Sequence, residues 1–246
     1  MLNSRQQLDD LRAVYRHSIE QEKKRILVCG GTGCVSSGSL DIFERLKQLM
    51  QDRGIACSVE LQKEPHQDSV GLKKSGCHGF CEMGPLVRIE PFGYLYVKVQ
   101  LSDCEEIVDR TILKGEHIER LAYQRDGVMY RRQEDIPFYK KQTRMVLEHC
   151  GHIDATSILE YIGIGGYEAF EKALFDMSAD DIIAEISDSN LRGRGGGGFP
   201  TGKKWSQVRR NQADKKYIVC NGDEGDPGAF MDRSIMEGDP HRMLEG

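Results

Sequence analysis

The sequence contains no long hydrophobic run, and this absence excludes several classes of protein. No apolar segment approaches the roughly 20 residues that a membrane-spanning helix needs. The N-terminus as far as Lys24 is polar and charged, and it lacks the apolar core of a secretory signal. We therefore expect a cytoplasmic protein, in which the eight cysteines are better explained as metal ligands or inert thiols than as disulfides.

Basic residues form no continuous stripe either, which argues against nucleic acid as the main partner. The 246 residues include 34 Lys and Arg against 39 Asp and Glu, a net charge of −5 that is ordinary for a soluble surface. No internal repeat is present. The length allows one or two domains.

Alternating helix and strand signals predict a small α/β domain over residues 1–113. The order is β-α-β-loop-β-β-α, and the terminal hairpin fits a thioredoxin-like layer. The predicted helices are 5–22, Ser39–Arg53 with Gly54 as its stop, and Asp103–Leu113; the predicted strands are Arg25–Cys29, Ile55–Leu61, Leu86–Glu90 and Tyr94–Val99.

The remainder of the chain changes character twice. Residues 114–142 are rich in charge and are predicted to be a helical linker that lies over a neighbouring surface, and residues 143–246 form a second, helix-rich region. The predicted elements of that region are helices at Arg144–Cys150, Ser157–Ile162, Gly166–Phe175 and Ile182–Ile186, the last after an N-cap at Ser178, and a short strand at Tyr217–Cys220.

Four cysteines form two closely spaced pairs, Cys29 with Cys34 and Cys77 with Cys81. Each pair lies in a glycine-bearing loop, where backbone N–H groups can approach the sulfurs. A [2Fe–2S] cluster needs two thiolates for each iron, and N–H donors stabilise the negative charge on its sulfurs. The spacing therefore predicts an iron–sulfur site on these four residues.

Three alternatives for the cysteines stay open at this point. Structural zinc also takes four thiolates, although its pairs usually have two intervening residues. A disulfide framework or two unrelated pairs of buried thiols are the further alternatives. The remaining four cysteines fall on apolar or helical stretches and are interpreted as inert packing: Cys57, Cys104, Cys150 and Cys220.

A glycine-rich stretch, Leu191–Trp205, contains six glycines, two arginines and two lysines. It satisfies G-x-G-x-x-G without a preceding strand, and it nearly matches a phosphate-binding loop but has Lys204 in place of the hydroxyl residue. A mobile surface loop is the simplest alternative. Consecutive glycines nevertheless permit a flat backbone against a planar ligand, and their N–H groups with Arg194 and Lys204 suit a phosphate.

An acidic loop, Asn221–Asp226, follows the predicted strand at Tyr217–Cys220. Ligands of open α/β sheets bind in loops at the carboxyl ends of strands. The carboxylates of Asp223, Glu224 and Asp226 could accept ribityl or ribose hydroxyls, hold a hard cation, or form a solvated turn.

The cysteine spacing resembles the thioredoxin-like [2Fe–2S] ferredoxin module. That module occurs in small subunits of NADH dehydrogenases and at the N-terminus of flavin subunits of NAD(P)-linked hydrogenases. The resemblance implies that Cys29, Cys34, Cys77 and Cys81 hold the cluster.

The two downstream loops resemble the NADH-binding flavin subunit of respiratory complex I and its relatives in NAD(P)-reducing [FeFe]-hydrogenases and formate dehydrogenases. The resemblance extends to Phe138–Gln142 and Cys150–Asp154. It implies FMN and NAD(H) or NADP(H) as cofactors and no catalytic acid or base. Asp226 stands where complex I usually has Glu, which leaves the choice of coenzyme open. The residues carried over as contacts of FMN or the dinucleotide are Arg194, Gly195, Gly196, Gly198, Phe199, Lys204, Asn221, Asp223, Glu224 and Asp226.

The resemblance also implies partners and further chain. In the family, the rest of the flavin fold and a [4Fe–4S] cysteine motif follow the position of Gly246, so the sequence predicts a fragment or a split gene product. The expected partners are a hydrogenase-type catalytic subunit and a small [2Fe–2S] subunit in a hetero-oligomer. The function that the resemblance implies is an enzyme subunit that passes electrons between NAD(P)(H), FMN and iron–sulfur clusters. A stand-alone [2Fe–2S] electron carrier and a zinc-stabilised interaction module remain as alternatives to it.

Overall fold

A computed structural model describes residues 4–64 and 68–246. The chain divides into two compact units. The first comprises residues up to Gly166 together with Glu224–Leu244, and the second comprises Tyr167–Asp223 with Glu245. In the part of the chain described, no helix has the length and apolar character that crossing a bilayer requires.

A five-stranded mixed sheet forms the centre of the first unit, in the order β2-β3-β1-β4-β5. Strands β2, β3 and β1 are parallel, and β4 and β5 continue the sheet as an antiparallel hairpin. The strands are β1 Lys24–Cys29, β2 Cys57–Ser58, β3 Val70–Ser75, β4 Val87–Glu90 and β5 Tyr94–Tyr96.

Four helical segments accompany this sheet. Apolar residues at helical spacing on α3, including Phe43 and Leu46, are buried in one core with Ile26, Leu72 and Ile89 of the sheet. The segments are α1 Arg5–Gln21, capped by Ser4, α2 Thr32–Ser36, α3 Ser39–Asp52, and α4 Cys104–Glu106, which continues as a π-helix over Ile107–Ile112.

The sequence-based prediction of this unit is confirmed for β1, α1, α3 and the hairpin, and Gly54 ends α3 with a left-handed φ of 67°. The strand expected over Ile55–Leu61 is confined to Cys57–Ser58. No sequence pattern predicts strand β3, because Gly71, Lys73 and Lys74 interrupt its apolar pattern. Lys73 is nevertheless fully buried, since its ammonium pairs with the buried carboxylate of Glu22 at 3.2 Å.

The predicted linker, 114–142, packs against the sheet and contains a hairpin as well as helical turns. The amide of Leu95 on β5 donates to the carbonyl of Arg131, and Ile136 is fully buried. The elements are helical turns at Glu119–Leu121 and Gln133–Asp135, strands β6 Tyr123–Arg125 and β7 Val128–Tyr130, and helix α5 Pro137–Lys140.

Three further helices belong wholly or mainly to the first unit: α6 Ile158–Gly163, α10 Met231–Gly238 and α11 Pro240–Glu245. Gly163 allows α6 to approach α1 closely, because a Cβ there would lie 3.0 Å from the backbone of Tyr15. The helix predicted at 144–150 is wrong, because this stretch forms turns. The Met145 carbonyl accepts from the Glu148 amide three residues on, and the carbonyls of Met145 and Val146 also accept from the Arg242 guanidinium.

The second unit contains α7 Glu168–Asp176, α8 Ala179–Asp188 and α9 Thr201–Arg210. Ser178 caps α8 in a reciprocal capping box with Asp181, as its position predicted. The strand predicted at Tyr217–Cys220 is wrong. Neither sheet of the described residues includes this stretch, and Ile218 is fully exposed because no neighbouring strand covers it.

Replacing Leu46 by alanine should lower the free energy of unfolding by about 2–5 kcal/mol, since the fully buried side chain leaves a cavity. Leu40, on the same helix, is 40% exposed, so its replacement by alanine should change stability by no more than about 0.5 kcal/mol. Urea denaturation followed by circular dichroism measures both. Equal losses would contradict the assignment of the core face of α3.

Candidate metal centre and cofactor loops

Two neighbouring parallel strands place the cysteine pairs at one edge of the sheet. Cys29, the last residue of β1, lies in register with Ser75, the last residue of β3. The amide of Gly30 donates to the carbonyl of Ser75 at 2.8 Å. Cys77 follows Ser75 by two residues, so the two cysteine-bearing loops leave the sheet side by side.

The thiols of the four predicted ligands influence one another. The Cys77 and Cys81 sulfurs are 4.0 Å apart, and the Cys29 sulfur lies 3.9 Å from the Gly76 carbonyl oxygen. The neighbouring Cys34 thiol raises the pKa of Cys29 to about 12, and the pKa of Cys34 is lowered by Cys29. Within residues 4–64 and 68–246, no three or more His, Cys, Asp or Glu side chains are arranged to hold one metal ion. The structure therefore brings two cysteine pairs side by side.

Glycines form a backbone cradle around these sulfurs. The amide of Gly79 also donates to the Cys77 sulfur at 3.3 Å, the type of bond that stabilises iron–sulfur clusters. Paired thiolates within a close-fitting backbone suit a [2Fe–2S] cluster. An added Cβ would crowd a sulfur at each of three positions: on Gly31 it would lie 3.0 Å from Cys77, on Gly33 3.4 Å from Cys81, and on Gly84 2.7 Å from Cys34.

His78, inside the second cysteine loop, is a structural residue that no sequence pattern singled out. Its ring is fully buried, with Nε2 2.9 Å from the Ser75 hydroxyl and Nδ1 3.1 Å from the Gln133 side-chain oxygen. Burial lowers the pKa of His78 to about 3, so the ring is neutral. Both nitrogens already have partners, so His78 fixes the loop and is not free to bind metal.

Helix α5 and the residues just after it hold the same loop through two hydrogen bonds. The Tyr139 hydroxyl and the Arg144 guanidinium both donate to the His78 carbonyl at 3.2 Å. A cavity of about 410 Å³, with walls that include Phe138 and Phe230, opens beside Cys77. One side of the cysteine quartet is therefore reachable from the surface.

The glycine-rich loop lies in the second unit and is closed at its base. The Gly193 amide donates to the Phe199 carbonyl and the Thr201 amide to the Leu191 carbonyl, each at 2.9 Å. The loop ends at the N-terminus of α9, a position where backbone N–H groups favour an anion. An added Cβ on Gly195 would meet no atom within 4 Å, so the exposed glycine backbone leaves space for a ligand.

The other predicted residues of this loop lie on its backbone or at the start of α9. Gly196 and Gly198 have left-handed φ values of 99° and 58°, which a side chain would strain. Phe199 is 47% exposed, and Lys204 lies on the first turn of α9. Arg194 is exposed. The loop thus offers an open backbone, cationic side chains and one aromatic ring.

The acidic loop is divided between the two units. Asn221 and Asp223 belong to the second unit, where the Asn221 side chain accepts from the Asp223 amide at 3.2 Å. Glu224 and Asp226 belong to the first unit, and Glu224 accepts from the amides of Asp232 and Arg233 at the start of α10. Part of the acceptor capacity of this loop is therefore used by its own backbone.

Residues 186–246 match the Nuo51 FMN-binding domain. Among curated proteins, the NADP-reducing hydrogenase subunit HndC of Solidesulfovibrio fructosivorans is 52% identical over 106 residues, 43% of this chain and 21% of that protein. An NADH-quinone oxidoreductase subunit of Rhizobium meliloti (strain 1021) is 52% identical over 96 residues, 39% of this chain and 22% of that protein. The chain thus spans about a fifth of the length of these relatives.

Solved structures include two kinds of neighbour. A thioredoxin-like [2Fe–2S] ferredoxin from Aquifex aeolicus is 29% identical and covers 41% of this chain and 89% of its own, with a TM-score of 0.32. An NAD⁺-reducing [NiFe]-hydrogenase is 20% identical and covers 95% of this chain and 36% of its own, with a TM-score of 0.35.

The comparisons confirm the resemblance to NADH-binding flavin subunits that the glycine-rich and acidic loops indicated. The predicted fold class, an α/β cluster module followed by the start of a flavin-binding domain, agrees with the five-stranded sheet and with the domain match at 186–246. The roles of the individual cysteine and loop residues stay predictions.

Stability should fall as the pH drops from about 6.5 to about 4, because burial lowers the pKa of His152 to about 4. In that interval the unfolded chain binds a proton on His152 and the folded chain does not, whereas above pH 6.5 the ring is neutral in both. His152→Gln should reduce this loss by on the order of 1–3 kcal/mol, measured by urea denaturation across the pH range. The exposed His17→Gln serves as control, and an unchanged pH slope in the His152 variant would contradict the assignment.

Proposed function

We propose that the chain is an electron-transfer component of an NAD(P)H oxidoreductase, with a [2Fe–2S] site on Cys29, Cys34, Cys77 and Cys81 and a flavin site begun by the glycine-rich loop. The placement of both cysteine pairs beside one another, at the ends of the paired strands β1 and β3, is the observation that carries this proposal. The sequence similarity to a hydrogenase subunit and to an NADH-quinone oxidoreductase subunit supports it.

The cluster side of the mechanism depends on the thiols and their backbone neighbours. The four sulfurs would bind as thiolates, so metal binding would release the protons of the four free thiols. The Gly79 amide keeps a donor directed at Cys77. A [2Fe–2S] cluster, when bound, supplies a one-electron site, and burial of Cys29 and Cys34 excludes water from one side of it.

The flavin side depends on the loop that leads into α9. We assign the contacts with FMN and the dinucleotide to the residues that the family resemblance indicated: Arg194, Gly195, Gly196, Gly198, Phe199, Lys204, Asn221, Asp223, Glu224 and Asp226. FMN, when bound, supplies the exchange between two-electron hydride chemistry and one-electron transfer. The protein positions it: the open backbone at Gly195 admits a planar ring, Lys204 and Arg194 attract phosphate, and Phe199 offers a stacking surface.

The domain organisation is part of the proposal. We assign residues 1–113 to the cluster-binding domain, 114–142 to a linker, and 143–246 to the first part of the FMN- and NAD(P)H-binding domain. We place the protein in the cytoplasm, a reducing compartment in which thiols persist, in a hetero-oligomer with a hydrogenase-type catalytic subunit and a small [2Fe–2S] subunit.

A second candidate function is a stand-alone [2Fe–2S] electron carrier whose flavin region is inactive. The exposed segment at 217–220, which lies outside both sheets of the described residues, favours this alternative, because ligands of open α/β sheets bind beside the carboxyl ends of strands and this segment forms no strand. Flavin binding discriminates between the two candidates.

Anaerobic reconstitution with iron and sulfide should give about two irons and two sulfides per chain, with a rhombic electron paramagnetic resonance signal after dithionite reduction. Cys77→Ser should abolish most of that signal, because it removes one of four ligands. Cys57→Ser, a half-buried cysteine outside the quartet, should retain it. Stoichiometric zinc in place of iron, or an intact signal in the Cys77 variant, would refute the cluster assignment.

FMN should bind to the chain with quenching of flavin fluorescence, and Lys204→Gln should weaken the affinity by about tenfold, because one charge-assisted contact to phosphate is lost. Lys215→Gln removes an equal charge outside the glycine-rich loop and should leave binding unchanged. Absence of FMN binding by the unaltered chain would favour the stand-alone carrier.

A further inference from the structure

Helix α2, which carries Cys34, begins without a cap of its own. Gly31 occupies its N-cap position and has no side chain to accept from the first amides. Unsatisfied N–H groups at a helix start ordinarily take an acceptor, and a negative charge there is favourable. The acceptor for α2 therefore has to come from elsewhere in the chain.

Glu237 of α10 supplies it from 205 residues away in the sequence. Its carboxylate accepts from the Thr32 amide at 3.1 Å through one oxygen and from the Thr32 hydroxyl through the other. Thr32 lies between Cys29 and Cys34, so both bonds act on the first cysteine loop. The hydrogen bonds also hold a negative charge beside that loop.

The contact between α10 and the cysteine loops extends beyond this pair. A Cβ added to Gly76 would overlap the Gly238 backbone, so the two backbones touch directly beside Cys77. A Cβ added to Gly238 would in turn overlap the Cys150 sulfur. Helix α10 therefore contacts both cysteine loops, and Glu237 makes the charged contact, which is with Thr32.

We propose that Glu237 is a positioning residue for the metal centre, which fixes the Cys29–Cys34 loop through Thr32 and lowers the reduction potential of the centre by its charge. The inference rests on the proposed [2Fe–2S] site. Reduction adds one electron to the cluster, and a fixed carboxylate beside the ligands opposes that added negative charge. Residues within the span that matches the FMN-binding domain would then set the potential of a centre in the N-terminal module.

Three variants separate the contact from a general effect of charge. Glu237→Gln removes the charge at constant shape, and Thr32→Val removes the hydroxyl but keeps the charge. Glu82→Gln removes an equal charge next to Cys81 from an exposed side chain, where solvent screens it. Iron content is measured for each variant, and midpoint potentials are compared only among chains that carry the cluster.

Dye-mediated redox titration of the reconstituted chains, followed by electron paramagnetic resonance, tests the charge. Glu237→Gln should move the midpoint potential upward by more than Glu82→Gln, and Thr32→Val should move it less than Glu237→Gln. Amide hydrogen exchange on the chain without metal tests the contact. The peptide that spans residues 30–36 should exchange about tenfold faster in Glu237→Gln, since a charge-assisted hydrogen bond is weakened.

A Glu237→Gln variant that matches Glu82→Gln in both potential and exchange would overturn the inference. Faster exchange with an unchanged potential would overturn the role of the charge. Failure of the unaltered chain to assemble a [2Fe–2S] cluster would instead refute the proposed site, and the exchange measurement would still decide whether Glu237 positions the loop.

Discussion

The parallel pairing of β1 with β3 is the constraint on which the rest of the first unit depends. It sets Cys29, the last residue of β1, opposite Ser75, and the other three cysteines of the quartet lie in the segments that follow the two strands. A shift of one residue in that register would turn the side chains at the strand ends to the opposite face of the sheet. The register of β1 with β3 therefore determines whether the two cysteine pairs lie side by side. The glycines determine how closely the backbone can approach the sulfurs.

The pairing of β3 within the sheet depends in turn on a buried ion pair. Lys73, at the centre of β3, has its ammonium 3.2 Å from the Glu22 carboxylate, and the Ser58 hydroxyl donates to the same carboxylate at 3.0 Å. Removing one member of a buried pair leaves an uncompensated charge, which costs about 3–5 kcal/mol. The pair joins the end of α1 to β2 and β3, and it explains why a strand with a lysine at its centre can lie inside the sheet.

Several parts of the chain could be inferred from the sequence because their signals are local. The apolar face of α3, the left-handed stop at Gly54 and the capping box at Ser178 each depend on residues within a few positions of one another. Strand β3 could not be inferred, because the partner that allows Lys73 to be buried lies just beyond the end of α1. The 144–150 segment was predicted as a helix for the same reason, since Arg242 takes its carbonyls from almost a hundred residues away.

The sequence by itself determined the kind of ligand set, which is two cysteine pairs in glycine-bearing loops. It also determined the resemblance of the glycine-rich stretch to flavin subunits. Both follow from residue type and spacing, because these alone decide where thiols occur and where the backbone is free of side chains. Only the tertiary structure decided what surrounds the quartet. Burial keeps His78 neutral, its ring nitrogens are hydrogen-bonded to Ser75 and Gln133, and Glu237 caps the helix that carries Cys34. These contacts join residues far apart in the chain, and burial and hydrogen bonding between such residues arise only when the sheet brings them together.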